Sequence, residues 1–277
     1  MSGALTERRE RAGAVRALVL AASRGADDPM ARATGARHKA LLKVGGVPML
    51  RRVVRALRAL PEVGEIVIVI DDAPAARQAL GELAEDAQIV PPAESAAASA
   101  LKVLQQMFAR AADAPVLITT GDHALLTPEM VREMLAAMQA RPEADLLVGL
   151  ARREVVKAAF PEVKRTWLRF GADAVTACNL FLLRDARALA AVRFWRRVEQ
   201  NRKRPWRIAL AFGIWPLLKV LLGRVSLHDA FALAGRRLGI VAEPVLLSDA
   251  RAAVDVDKPE DLALAERILA GDQGNDI

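Results

Sequence analysis

The sequence predicts a three-layer α/β fold with a mostly parallel central sheet, and three observations carry that prediction. Short, almost wholly apolar runs at 15–22, 65–70 and 116–120 read as strands covered on both faces, as in parallel sheets. Between them lie stretches with apolar residues at helical spacing, such as Leu50, Val53, Val54 and Leu57. This β-loop-α alternation persists to about residue 150, which calls for right-handed crossovers and puts ligands outside the carboxyl ends of the strands. At 277 residues and 53% hydrophobic, the chain is long enough to bury a full core. We read it as a basic tail (1–14) and one domain (15–277) carrying a helical, apolar insertion at 186–238.

The first strand, 15–22, breaks into small residues: Ala21, Ala22, Ser23 and Gly25, with Arg24 among them and Lys39 beyond. Small side chains let backbone N–H groups approach a ligand, and the two cations suit phosphate, so this loop points to a nucleoside triphosphate. Residues 23–37 read as loop, 48–60 as a surface helix, 65–70 as a strand and 73–84 as a helix. A short strand at 88–90, a loop at 91–95 and a helix at 99–111 follow. The strand 116–120 ends at Gly121-Asp122-His123 and leads to a helix at 128–140 with Pro128 at its start. A strand at 145–150 completes the alternation. Residues 151–184 read as extended, with 175–183 the clearest strand, and 186–202 as a basic helix. The helix 226–238 has Ser226 as its cap and Gly239 as its stop. Strands at 240–247 and 252–256 and a closing helix at 259–270 end the domain.

Charge narrows the function. The net charge of +7 suits an anionic partner, but aromatic content is 4% with no Tyr. Basic residues without interleaved stacking rings argue against nucleic acid. The single Cys178 can form no internal disulfide, and the charged start has no apolar export core, so a cytoplasmic protein is expected.

Two acidic sites carry candidate chemistry. Asp122 follows a buried apolar strand, at the sheet edge where a Mg²⁺ held by one or two carboxylates and substrate phosphates is often built. The bland reading is a turn Asp bonded to its own loop, and His123 reads as a loop residue rather than a ligand. In a strand, Asp255 and Asp257 would share a face, and two like charges there need a compensating cation, either a metal or Lys258 or Arg251. Glu260 and Asp261 fit a helix's first turn.

Together, Leu18-Val-Leu-Ala-Ala-Ser-Arg-Gly, His38-Lys39-Ala-Leu-Leu with Gly46-Val-Pro-Met-Leu, Thr120-Gly-Asp122-His-Ala-Leu-Leu, and Val254-Asp-Val-Asp-Lys-Pro-Glu-Asp-Leu resemble the signature segments of the MobA-like NTP transferase superfamily. The resemblance implies a Rossmann-like, GT-A-like nucleotidyltransferase fold and an Mg²⁺-dependent transfer of an NMP, CMP by preference, from an NTP to a phosphorylated acceptor. That acceptor would be a lipid head-group, polyol or sugar phosphate, with pyrophosphate leaving. Carried over by position, Ala21, Ala22, Ser23, Arg24, Gly25, Gly121 and Lys39 would line the nucleotide, and Glu94, Ser95 and Ser99 would lie where relatives meet base and ribose. Lys39, Asp122 and Asp257 would be catalytic. Asp122 with Asp255, Asp257 or both would hold Mg²⁺, and Thr176 and Asn179 would lie near the acceptor. The chain departs from the family pattern in five ways, one of them a longer loop to Lys39 that includes Asp27-Asp28-Pro29. Ser23 replaces a Gly and the usual Arg-Met pair is missing, with Arg32 or Arg37 as its substitute cation. His38 replaces a Pro, and Lys258 replaces a Thr.

The stretch 202–222 joins cations and Trp206 to an apolar run containing Trp215 and Pro216, shorter than the roughly 20 residues a membrane span needs. Two readings stand: kinked helices packed over the substrate side, or an interfacial anchor on the inner face of an anionic membrane. The rival functions are a nucleotide-sugar glycosyltransferase and a non-catalytic, membrane-peripheral nucleotide-binding protein. Lys39 opposes the first; Ser23 and the missing Arg-Met pair favour the second.

Overall fold

Period-two alternation decides how the first strand is covered. In the computed structural model, which describes residues 15–23, 29–35, 38–200 and 225–273, β1 (Val15–Leu20) sends Ala17 and Val19 to one face and Leu18 to the other. Both faces are buried, and β1 therefore sits in the middle of the sheet. It pairs parallel with β4 (Val63–Val69) on one side and β6 (Val116–Thr120) on the other. Outward from β4 lies β5 (Ala87–Val90), also parallel. Outward from β6 come β9 (Asp173–Leu183), β7 (Leu146–Arg152) and β10 (Ala242–Leu246), giving the order β5-β4-β1-β6-β9-β7-β10. Only β9 runs against this set, antiparallel to both neighbours, with β8 (Leu168–Phe170) folded back on its start. The two-residue strands β2 (Lys43–Val44) and β3 (Val47–Pro48) form a separate hairpin.

Helices cover both faces. On the face of Ala17 lie α2 (Met49–Arg58), α3 (Ala73–Leu80), α5 (Pro128–Ala140) and α9 (Pro259–Gln273), joined in one apolar cluster through Val53, Leu57, Leu80, Met134 and Leu264. On the face of Leu18 lie α4 (Ala96–Arg110) and α7 (Leu189–Gln200), packed through Leu104, Met107 and Val192. This makes the three layers that the alternation predicts. Local signals set the helix ends. Thr127 accepts from Met130 N ahead of Pro128, and Ser226 accepts from Asp229 N at the start of α8 (Leu227–Leu238). Gly239, at φ +69, ends α8 in the left-handed conformation.

Three expectations are corrected. Within the presumed 23–37 loop, α1 (Pro29–Thr34) is helical, started by a proline whose missing N–H costs nothing there. Residues expected to be extended after 151 instead begin with α6 (Arg153–Ala159). Its good helix formers bury only Val156, so no periodic apolar face announces it. Residues 252–256 are not a strand. The Asp249 carboxylate accepts from Arg251 N and starts a 3-10 turn over Ala250–Ala253, and Val256 N donates to Asp122 O instead of to a sheet ladder. The 1–14 tail and the 202–222 stretch lie outside the described residues. Within those residues no helix is long and apolar enough to cross a membrane.

Candidate active site

The ends of three parallel strands are sewn together at the carboxyl edge. Ala21 N donates to Val69 O and Gly121 N to Leu20 O, both at 2.9 Å, so the β1, β4 and β6 loops leave at one level. The approach is close enough to demand glycine. A Cβ on Gly121 would lie 2.7 Å from the Ala21 Cβ and 3.0 Å from the Ala40 Cβ. Ala40 belongs to the 3-10 turn Lys39–Leu41, so the small residues seal three loops against one another.

That contact puts Lys39 beside the acidic residues. Its Nζ lies 2.5 Å from Asp122 Oδ2 and 2.6 Å from Asp257 Oδ1, joining chain segments 218 positions apart. Burial by itself lowers the Lys39 pKa, but attraction and hydrogen bonding to Asp122 and Asp257 outweigh it, and the net shift is upward. The ammonium is therefore charged throughout the neutral range. Asp257 is positioned from below by Asp261, whose Oδ2 accepts from Asp257 N (3.2 Å) and Lys258 N (3.0 Å) at the start of α9.

Asp255, two residues earlier, serves a different cation. Its Oδ1 pairs with Arg165 Nη1, its carbonyl accepts from Arg165 Nη2 at 2.9 Å, and its Oδ2 accepts from Asn179 Nδ2 at 3.2 Å. Burial pushes the Asp255 pKa up to about 6; Arg165 opposes the rise, while Asp257 and Asp122 add to it. Asn179 sits at φ +50, a left-handed conformation that Asn adopts more readily than most residues, beside the register shift between β9 and β7. The shared-face argument for Asp255 and Asp257 therefore fails with the strand it assumed. The two carboxylates are near neighbours that answer to separate cations.

The other predicted residues fall as follows. Ala21 is buried and Ala22 half-buried at the loop entrance, and Ser23 N donates to Asp71 Oδ1 at 3.0 Å. Arg24, Gly25 and Arg37 lie outside the described residues. Ser95 caps α4 by accepting from Ala98 N, and the buried Ser99 Oγ donates to Ser95 O and accepts from Ala93 N, both at 2.8 Å. Those two hydroxyls shape the 93–95 backbone. The Glu94 carboxylate meets Arg196 of α7 at 2.8 Å. Thr176 is buried on β9, opposite Ala151. His123 is buried, with Nδ1 3.4 Å from Thr119 Oγ1, and burial pushes its pKa down to about 4, so it is a neutral core residue.

Sequence reasoning missed two residues. Arg165 lies in a non-repetitive stretch with no pattern to mark it. Asp71 had a signal: like Asp122, it follows a buried apolar strand, and that rule was applied once where it held twice.

The donor set fits a hard divalent cation. Asp122 Oδ1 is buried without a hydrogen-bond partner, and Asp257 offers a second carboxylate across Lys39. Among the described residues no cluster of three or more His, Cys, Asp or Glu forms a ready cage. Mg²⁺ does not need one, since it commonly takes one or two carboxylates and completes its shell with substrate phosphates and water.

Comparisons with known proteins speak to the family and the fold. The model of the MobA-like NTP transferase domain matches residues 17–211. No curated protein matches the sequence. A hypothetical transferase from Thermus thermophilus is 35% identical, with a TM-score of 0.73, over 90% of this chain and 99% of its own. CMP:2-keto-3-deoxy-manno-octonic acid synthetase complexed with CTP is 19% identical, with a TM-score of 0.54, over 94% of this chain and 99% of its own. 4-Diphosphocytidyl-2C-methyl-D-erythritol synthase from Anaerococcus prevotii is 12% identical, with a TM-score of 0.58, also over 94% and 99%. At such identities the last two speak for the fold alone.

Proposed function

The chain belongs to the MobA-like NTP transferase domain family, and from that premise we propose that it moves an NMP from an NTP onto a phosphorylated small-molecule or lipid-precursor acceptor. The observation that carries the proposal is Lys39, held by Asp122 and Asp257 at the carboxyl edge of the sheet. Asp122 and Asp257 would hold Mg²⁺, which when bound neutralises charge on the triphosphate and on the departing pyrophosphate. Asp257 is favoured over Asp255 as the second ligand, because Arg165 and Asn179 engage both carboxylate oxygens of Asp255.

The chemistry needs no protein nucleophile. An acceptor phosphate oxygen attacks the α-phosphorus, a new P–O bond forms in line, the α–β bridge breaks and pyrophosphate leaves. Lys39 binds phosphate oxygens and stabilises the charge that builds on them in the transition state. At the loop Ala21–Ser23 the amides of Ala21 and Ser23 are engaged by Val69 O and Asp71, so the loop contributes small side chains that leave room for the phosphates. Arg165, with Asn179 and Thr176 on β9, faces the acceptor side and orients an anionic group there. CTP is the preferred donor in this reading, as the sequence resemblance implies.

The test is pyrophosphate release from each NTP with Mg²⁺ and a panel of sugar, polyol and lipid-precursor phosphates. Release is expected with one donor and one acceptor class, and Asp122→Ala should abolish it. Silence across the panel, or full activity in Asp122→Ala, would refute the proposal.

A further inference from the structure

Two of the departures from the family pattern, Ser23 for Gly and His38 for Pro, are far apart in sequence terms but meet on one carboxylate. Asp71 Oδ1, at the end of β4, accepts from Ser23 N at 3.0 Å and lies 3.4 Å from His38 Nδ1. The His38 ring is 5% exposed, and neither of its nitrogens has a hydrogen-bond partner. Its Nε2 is 3.6 Å from Asp72 Oδ2, while the other Asp72 oxygen caps α3 through Ala75 N at 3.0 Å. The imidazole is thus wedged between two carboxylates fixed at the end of a buried strand. The backbone at His38 has φ −134, which proline cannot reach. A histidine here allows a different path into the Lys39 turn as well as a different side chain.

Ser23 and His38 are the two ends of the stretch 24–37, and Lys39 is the next residue after the second end. We infer that Asp71 is a positioning residue for both ends of this stretch, bonded to the Ser23 amide and within ion-pair distance of the His38 ring, and so fixes where Lys39 presents its ammonium. The inference rests on the nucleotide reading of the site above. A carboxylate is suited to this work, because hydrogen bonds to an ionised acceptor are roughly twice as strong as neutral ones. Because the contact orders the free protein, its loss falls on nucleotide affinity more than on the chemical step.

The experiment compares wild type with Asp71→Ala, Asp71→Asn and His38→Gln by calorimetry with CTP and Mg²⁺, and by hydrogen exchange at the Ser23 amide. Asp71→Ala should weaken CTP binding about tenfold while kcat changes by less than about threefold, the pattern of lost uniform binding. Asp71→Asn, which keeps an acceptor for Ser23 N, should fall between, and combining Asp71→Ala with His38→Gln should give less than the sum of the single effects. Exchange at Ser23 should speed up in Asp71→Ala without any nucleotide present. Unchanged exchange together with unchanged affinity in Asp71→Ala overturns the inference. If wild type binds no NTP, the nucleotide reading fails instead, and the exchange comparison alone decides the role of Asp71.

Discussion

The two edges of the sheet use cations in opposite ways. At the amino edge, the Arg16 guanidinium donates to the carbonyls of Met107, Ala111 and Ala114 at the end of α4 and lies over the Phe108 ring, 5.4 Å from its centre. Arg184, at the foot of β9, donates to Ala144 O (2.7 Å), Met138 O (2.7 Å) and Arg141 O (2.8 Å) around the end of α5. Arg58 donates likewise to Gly64 O and Asp86 O. Each guanidinium fork ties down backbone carbonyls, two of which (Met107 O and Arg141 O) also accept a backbone N–H, and Arg16 and Arg184 do so at helix carboxyl ends, where a positive charge suits the dipole. At the carboxyl edge, Lys39 and Arg165 face ionised carboxylates instead. A carbonyl cannot be exchanged for a ligand without unravelling a helix end, whereas a carboxylate–ammonium pair can be re-partnered by an arriving cation and anion. The first edge is built to stay shut and the second to open. Several arginines behind the net charge of +7 are therefore structural.

Substitutions at the two edges should separate along these lines. The largest effect is expected for Lys39→Ala, which should lower kcat for pyrophosphate release by about 10²–10³ while leaving the thermal midpoint within a few degrees of wild type. An equal fall in stability would mean that Lys39 is only a charge plug. Arg184→Met should do the reverse. Losing three part-buried hydrogen bonds to carbonyls should destabilise the fold by about 1–3 kcal/mol in urea titration, with kcat of the folded enzyme nearly unchanged. A comparable effect is a pH dependence at the carboxyl edge. The folded His123 pKa of about 4 lies below its ordinary value of 6.5, so between these pH values the unfolded chain binds a proton that the folded chain does not. Its contribution, on the order of 3 kcal/mol, is complete above pH 6.5 and is lost as pH falls through 4. His123→Gln should flatten the acid limb of unfolding free energy against pH; an unaltered limb would contradict the burial argument.

Much of this layout was legible in the sequence, for reasons that also explain the gaps. The strand Val116–Thr120 and the helix Pro128–Ala140 were read to the residue, because an apolar run against a Gly-Asp break and a Thr-Pro start are unambiguous physical signals. Lys39, Asp122 and Asp257 were singled out together, and the structure brings them together. Arg165 was invisible, since a cation in an aperiodic stretch announces nothing until its partner is known. The segment 252–256 misled for a related reason. Buried Ala252, Ala253, Val254 and Val256 look like a strand, but the Ala250–Ala253 turn is buried by packing against β7, β9 and α6, and Val256 N goes to Asp122 O. Hydrophobicity reports burial; only hydrogen-bond partners decide which element is buried.

The missing side chain at Gly121 sets the mechanical character of the site. The turn carrying Lys39 and the loop carrying Asp122 are held together by direct backbone and methyl contact among Ala21, Ala40 and Gly121. The ion pair above that contact is therefore not the fastening between them. Lys39 and Asp122 can let go of each other, each taking up a piece of the substrate complex, while the two loops keep their separation. The site behaves like a hand whose fingers open while its knuckles stay locked.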